Sequence, residues 1–286
     1  MNTLKTTVLM ALMTGLLVVV GGSIGGQNGA TMMLLISLAM NFFSYWCSDK
    51  IVLKAYGAQP VSKEQAPELH QMVEVLAQNA NLPMPRVCVI NSPVPNAFAT
   101  GRNPQNAVVA VTTGIMQTLN RDELAGVVAH ELSHIKHRDT LISTIVASFA
   151  GAISWIAQMA QWAMIFGGRS DDEEEGGLAG ALFTMILAPI AAMLIQMSIS
   201  RSREYSADES GGQICGNPLA LASALSKIDG YAKHYQMQQA QPATSHLFII
   251  NPLSGSRQVM NLFSTHPTTE SRIERLREQA AKMKEV

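Results

Sequence analysis

Two imidazoles separated by three residues, His130 and His134, with a carboxylate at Glu131 between them, are the side chains of this chain best spaced for chemistry. On an α-helix, positions i and i+4 lie on the same face, so both rings reach a single ion. Zinc suits two nitrogen donors at about 2.0–2.1 Å. Glu131 sits on the rim of that face, where its carboxylate can take a proton from a water beside the ion. Chance expects roughly 0.008 such matches in a chain of this composition, so the spacing is informative. A catalytic zinc, one per chain, takes three protein ligands and keeps one position open. His137 lies seven residues past His130, a rise of about 10.5 Å, too far for one ion to touch both. It reads as a surface or supporting residue. Glu204 is the better third ligand, in Arg201-Ser202-Arg203-Glu204-Tyr205-Ser206-Ala207-Asp208. Asp208, four residues on, shares its helical face and is placed to accept the outer N–H of a ligand histidine. The competing reading of Glu204 is an ion pair with Arg201 or Arg203.

Other residues invite weaker assignments. His266, in the loop sequence Thr265-His266-Pro267, is a candidate to donate to the oxyanion of a tetrahedral intermediate, or to fix the C-terminal helix. Tyr205 is a second oxyanion candidate. His70, His234 and His246 have no partner pattern.

These residues need elements to hold them. Asn120 caps a helix with Glu123 three residues later and acids in the first turn; this helix carries His130, Glu131 and His134. Ser62–Asn79 reads as a helix, with Ser62 and Gln65 at capping-box spacing. Residues 86–90 and 107–111 read as strands, with 96–101 a strand or edge segment between them. Residues 201–210 read as helix, punctuated by Gly211-Gly212 and Gly216-Asn217-Pro218; a helix from about Pro218 to Asp229 and a polar one over 269–284 follow. Residues 237–255 read as loop.

The composition points to a membrane. The chain is 48% hydrophobic and only 14% charged, against about 25% charged for a typical soluble domain. Three long uncharged stretches, 6–48, 140–168 and 176–200, predict four spans in two hairpins, the first turning at Gly25–Gly29. The first is too long for a signal-peptide core and reads as retained. Lys5, Lys50, Lys54, Lys136, Arg138, Arg201 and Arg203 then share one side, which the positive-inside rule makes cytoplasmic. The expected organisation is a hairpin at 1–48, a cytoplasmic catalytic part at 49–139, a second hairpin at 140–200 and a second cytoplasmic part at 201–286. A net charge of −1 offers no footprint for nucleic acid. Cys47, Cys88 and Cys215 read as free thiols in a reducing compartment.

His130-Glu131-x-x-His134 with a distant Glu204-x-x-x-Asp208 resembles the gluzincin pattern. With Pro95-Asn96-Ala97-Phe98-Ala99-Thr100-Gly101 before it, two hydrophobic hairpins around it and Ser264-Thr265-His266-Pro267 after it, the chain resembles the HtpX heat-shock proteases, relatives of the CAAX prenyl proteases, over essentially its whole length. The resemblance implies an α+β zincin-like metalloprotease domain, mostly helical, joined to the two transmembrane hairpins. It implies a zinc endopeptidase of the bacterial inner membrane, catalytic side in the cytoplasm, acting on misfolded membrane proteins. It also implies that Asn96, Ala97, Phe98 and Ala99 form an edge strand whose backbone pairs with an extended substrate. Two alternatives stay open at this point: a prenyl-protein processing peptidase, and a membrane scaffold or holdase with structural zinc.

Overall fold

The computed structural model describes residues 2–142, 201–234, 249 and 267–285. The chain opens on α1 (Asn2–Ala55), interrupted at Gly25 and Gly26. Gly26 has φ of 57°, which glycine adopts without the Cβ penalty. The two halves fold back on each other. Asn41 Nδ2 donates to Thr14 Oγ1 at 2.9 Å, and a Cβ on Gly21 or Gly29 would strike the other's carbonyl oxygen. The turn therefore falls within the predicted Gly25–Gly29 stretch. Among the described residues, Gly25–Cys47 is the one helical segment long and apolar enough to cross a membrane; Met10–Val19 is a shorter apolar helix. Of the four expected spans, one is clear among the described residues; the first pass of the first hairpin holds only the shorter Met10–Val19, and the second predicted hairpin lies almost wholly at 143–200, outside the described residues.

A four-stranded sheet follows: β1 (Gln59–Pro60), β2 (Arg86–Ile90), β3 (Ala97–Thr100) and β4 (Val108–Thr112), in the order β1-β2-β4-β3. The β2–β4 pair is parallel; β1–β2 and β3–β4 are antiparallel. Central β4 is buried at every position, as expected of an apolar run covered on both faces. Val109 and Val111 face a core shared with α2 (Pro67–Asn79) and the metal-motif helix. Val108 and Ala110 face the end of α1, where Val52 and Leu53 cover the other side. The second half of α1 thus continues past residue 48 without a break, and its last turns serve as one layer of the sheet domain.

Helix α2 begins at Pro67, five residues after the predicted start. Proline fits the first turn of a helix but drives its predecessor out of the helical region, and Ala66 has φ −140° and ψ 65°. The Gln65 side chain still accepts from the Ser62 N–H at 2.8 Å, closing a local turn.

After the short α3 (Thr113–Thr118), α4 (Arg121–His137) runs behind the sheet. It starts in the predicted capping box, both reciprocal bonds being present at Asn120 and Glu123. Helices α5 (Arg201–Cys215) and α6 (Pro218–His234) pack against it, and α7 (Thr269–Lys284) packs on α6 and α5. Gly211-Gly212, read from sequence as punctuation, lies inside α5. A Cβ at Gly211 would come within 2.9 Å of the His130 backbone nitrogen. The glycine is there so that α5 can touch α4 backbone to backbone, and the neighbouring helical turns sustain it.

Candidate active site

The α4–α5 approach is what builds the site. His130, Glu131 and His134 come from α4, Glu204 and Asp208 from α5. His130 Nε2 and His134 Nε2 lie 3.2 Å apart. Glu204 places Oε2 at 3.6 Å from His130 Nε2 and Oε1 at 3.6 Å from His134 Nε2. One donor atom from each residue falls within 4.8 Å of the others. The residues expected to share an ion are brought together from regions that the sequence separates by seventy positions.

Each imidazole is held from behind. Asp208 Oδ1 lies 3.0 Å from His130 Nδ1, and Asp139 Oδ2 lies 3.2 Å from His134 Nδ1. An ionised carboxylate only accepts, so both Nδ1 atoms carry the proton and both Nε2 lone pairs point inward. Two inward lone pairs 3.2 Å apart, with a carboxylate beside them, form a set that a cation completes.

Arg272 of α7 locks the arrangement. Its Nε donates to Asp208 Oδ2 and its Nη2 to Asp208 Oδ1, both at 2.7 Å. Its Nη1 donates to the Ile249 carbonyl at 2.8 Å and lies 3.7 Å from Glu204 Oε2. This two-pronged contact fixes Asp208 in plane as well as in charge.

Glu131 is 6% exposed, and its Oε2 accepts the Ala99 backbone N–H at 2.9 Å. Ala99 belongs to β3, which among the described residues has a neighbouring strand, β4, on one side only. The Thr112 N–H donates to the Asn96 carbonyl at 2.9 Å. Antiparallel strands alternate, so the backbone groups of Ala97 and Ala99 face away from β4, toward the helix bearing the histidines. The Asn96–Ala99 segment is thus an edge strand beside the site.

The comparisons with known proteins agree with this geometry. The pattern of peptidase family M48 matches residues 63–280. The chain belongs to peptidase family M48. It is 56% identical to the protease HtpX homolog of Pyrococcus furiosus, over 98% of this chain and 96% of that one. It is 54% identical to the protease HtpX homolog of Persephonella marina, over 99% of each, and 58% identical to that of Thermodesulfovibrio yellowstonii, over 98% and 99%. In fold it is similar to the crystal structure of S. mikatae Ste24p, with a TM-score of 0.54 and 16% identity, covering 96% of this chain. This chain spans 64% of that protein's length. The M48 chain is therefore an HtpX-type, membrane-associated metallopeptidase, a hydrolase rather than a scaffold.

The charges of the M48 site suit a dication. Glu131, Glu204, Asp208 and Asp139 supply four negative charges; Arg272 and Arg203 supply two positive ones, leaving two to be cancelled. Burial lowers the basicity of His130, but the hydrogen bonds to Asp208 and Glu204 outweigh it and push its pKa up to about 9, so a proton competes with a metal ion for its inward Nε2 lone pair. Burial raises Glu204, yet His130, His134 and Arg272 hold it well below the usual carboxylate range. Burial pushes Glu131 up, only partly opposed by the two histidines, which suits a group that must take up a proton.

Tyr205, one residue past Glu204, is turned about 100° around the helix. Its hydroxyl is 2.9 Å from Ser271 Oγ, and Arg275 lies 3.8 Å over its ring. It is engaged with α7, and the structure does not bring it to the histidines. His137 is exposed, with Nδ1 3.3 Å from Ser133 Oγ. His266 lies outside the described residues.

Sequence reasoning missed Asp139 and Arg272. In a continuous helix Asp139, five residues past His134, would point off its face. Arg138 takes the left-handed conformation, φ 59°, and swings Asp139 back beneath the ring. Arg272 left a signal: buried Leu276 and Ala280 form a row at spacing four, and the row extended backward reaches Arg272. An arginine in an apolar row needs a buried anion.

Proposed function

We propose that this chain is a zinc-dependent endopeptidase that cleaves misfolded or damaged membrane proteins from the cytoplasmic face of a bacterial inner membrane. The observation that carries the reading is the meeting of His130, His134 and Glu204 beside Glu131 and the outward edge of β3. His130 Nε2, His134 Nε2 and a Glu204 oxygen are the ligands, and nitrogen–carboxylate sets of this kind suit zinc. When bound, the ion supplies a Lewis acid that polarises a carbonyl and acidifies a water.

The chain's own residues do the rest. The outward backbone groups of Ala97 and Ala99, other than the Ala99 N–H that Glu131 accepts, pair with an extended stretch of substrate, with Asn96 and Phe98 holding the strand to β4. Backbone pairing reads no particular side chains, which suits damaged proteins of many sequences. Glu131 takes the proton of the attacking water on its carboxylate and passes it to the leaving amine. Asp208 and Asp139 keep the imidazoles in one tautomer, and Arg272 keeps Asp208 ionised. His266, six residues before Arg272, is the oxyanion donor in this scheme. The basic residues flanking the hydrophobic stretches support the cytoplasmic orientation.

The test is Glu131→Gln in the purified full-length chain. Cleavage of an unfolded membrane-protein substrate should fall by roughly 10²–10⁴-fold, with metal content unchanged by elemental analysis. Undiminished turnover would remove Glu131 from its role, and loss of the metal would make it a ligand instead.

A further inference from the structure

A second site lies at the opposite end of β3. A cavity of about 630 Å³ opens between α1, as it leaves the apolar stretch Gly25–Cys47, and the edge of the sheet domain. Its wall toward the span is apolar: Phe42 is 58% exposed and Trp46 45% exposed. Its wall toward the sheet domain is cationic, with Lys50, Arg86 and Arg102 against the single carboxylate of Asp49, a surplus of two positive charges. Asp49 is already taken by Arg86, at 3.2 Å. Lys50 and Arg102 form no ion pair among the described residues. The Arg102 guanidinium lies 4.4 Å over the Trp46 ring, which orients it while leaving its in-plane N–H groups to an acceptor.

An apolar face continuous with a membrane span, topped at once by uncompensated cations and an interfacial tryptophan, matches one amphiphile. We infer that this cavity binds an anionic phospholipid: the phosphodiester between Lys50 and Arg102, with Arg86 beside it, and the upper acyl chain along Phe42 and Trp46. The site is independent of the metal centre but mechanically joined to it. Arg102 follows Gly101, the residue just past β3, whose φ is 128°. The Gly101 carbonyl accepts from Thr140 Oγ1 at 3.1 Å, just past α4. A lipid headgroup held by Arg102 braces the strand whose Ala99 contacts Glu131.

The experiment uses the detergent-purified full chain and counts bound lipid by native mass spectrometry, with phosphatidylglycerol and phosphatidylcholine of matched chains as probes. Phosphatidylglycerol should be retained in preference to phosphatidylcholine. Lys50→Gln and Arg102→Gln should each lower its retention about fivefold, whereas Lys54→Gln, on the same helix but outside the cavity, should not. Lys50 is exposed and in no ion pair among the described residues, so its variant reads binding without disturbing the fold. Equal retention of the two lipids would overturn the assignment. So would a Lys50→Gln chain that binds like Lys54→Gln, or displacement of the lipid by millimolar inorganic phosphate.

Discussion

Helix α4 carries a buried carboxylate centre at each end, and the two are built on opposite rules. At its start, Glu123 is 4% exposed and saturated with donors. The Asn120 N–H and Lys227 Nζ reach Oε2 at 2.9 and 2.7 Å, and Ser223 Oγ reaches Oε1 at 2.7 Å. One negative charge meets one positive charge, and nothing is left over. At its other end, Glu131, Glu204, Asp208 and Asp139 outnumber Arg272 and Arg203, and two imidazole lone pairs point at each other. The same helix and the same residue types thus make a strut at one end and a cation receptor at the other. What separates them is whether the chain itself completes the coordination.

Arg272→Met attacks the comparison where it is most sensitive. It leaves the buried Asp208 and Glu204 carboxylates without their internal cation, which should cost about 3–5 kcal/mol of stability. Chemical denaturation of the metal-loaded protein measures it, and a loss under about 1 kcal/mol would mean that the bound ion alone neutralises the centre. Asp139→Asn should lower metal affinity or activity by roughly 10–100-fold, since it removes the acceptor that orients His134. Competition with a chelator reads the affinity, and an unchanged value would assign His134's orientation to packing.

Glu123→Gln tests the saturated end, with an expected cost of about 1–3 kcal/mol and no change in metal content. Its pH dependence has a definite sign. Burial raises Glu123's pKa, but the contacts with Lys227, Ser223 and Asn120 outweigh it, so the folded-state value is depressed. Its stabilisation is therefore fully present above the unfolded carboxylate pKa of about 4.3. It is lost as pH falls through the lower folded value. The gap between wild type and variant should close in acid, and a gap that widened there would invert the assignment. The smallest effect is expected for Asn120→Ala, about 1 kcal/mol from loss of the N-cap, read as a shift in thermal midpoint.

Local features were the legible ones. The His130/His134 spacing, the Glu204/Asp208 spacing and the Asn120–Glu123 capping box each depend on a single turn of helix, so residue type and interval suffice to find them. The misreadings came from residues whose meaning lies in another element. Gly211-Gly212 looked like a helix end because a glycine's signature is the same whether it breaks a helix or admits a neighbouring one. Ser62 looked like a cap because its partner Gln65 is correctly placed; Pro67 decided the matter through the backbone of Ala66. The partnership between Arg272 and Asp208 spans sixty-four positions, and no periodicity reaches that far.

By itself, the amino-acid sequence determined the metal-motif helix, its cap and the turn of the first hairpin, because each is a short-range consequence of 3.6-residue periodicity, capping chemistry or glycine's freedom. The tertiary structure alone decided that α5 comes close enough to seat Glu204 opposite the histidines, that Asp139 turns back beneath His134, and that Arg272 lies buried among carboxylates. Those outcomes depend on how helices distant in the chain pack, and packing is settled by the whole core at once.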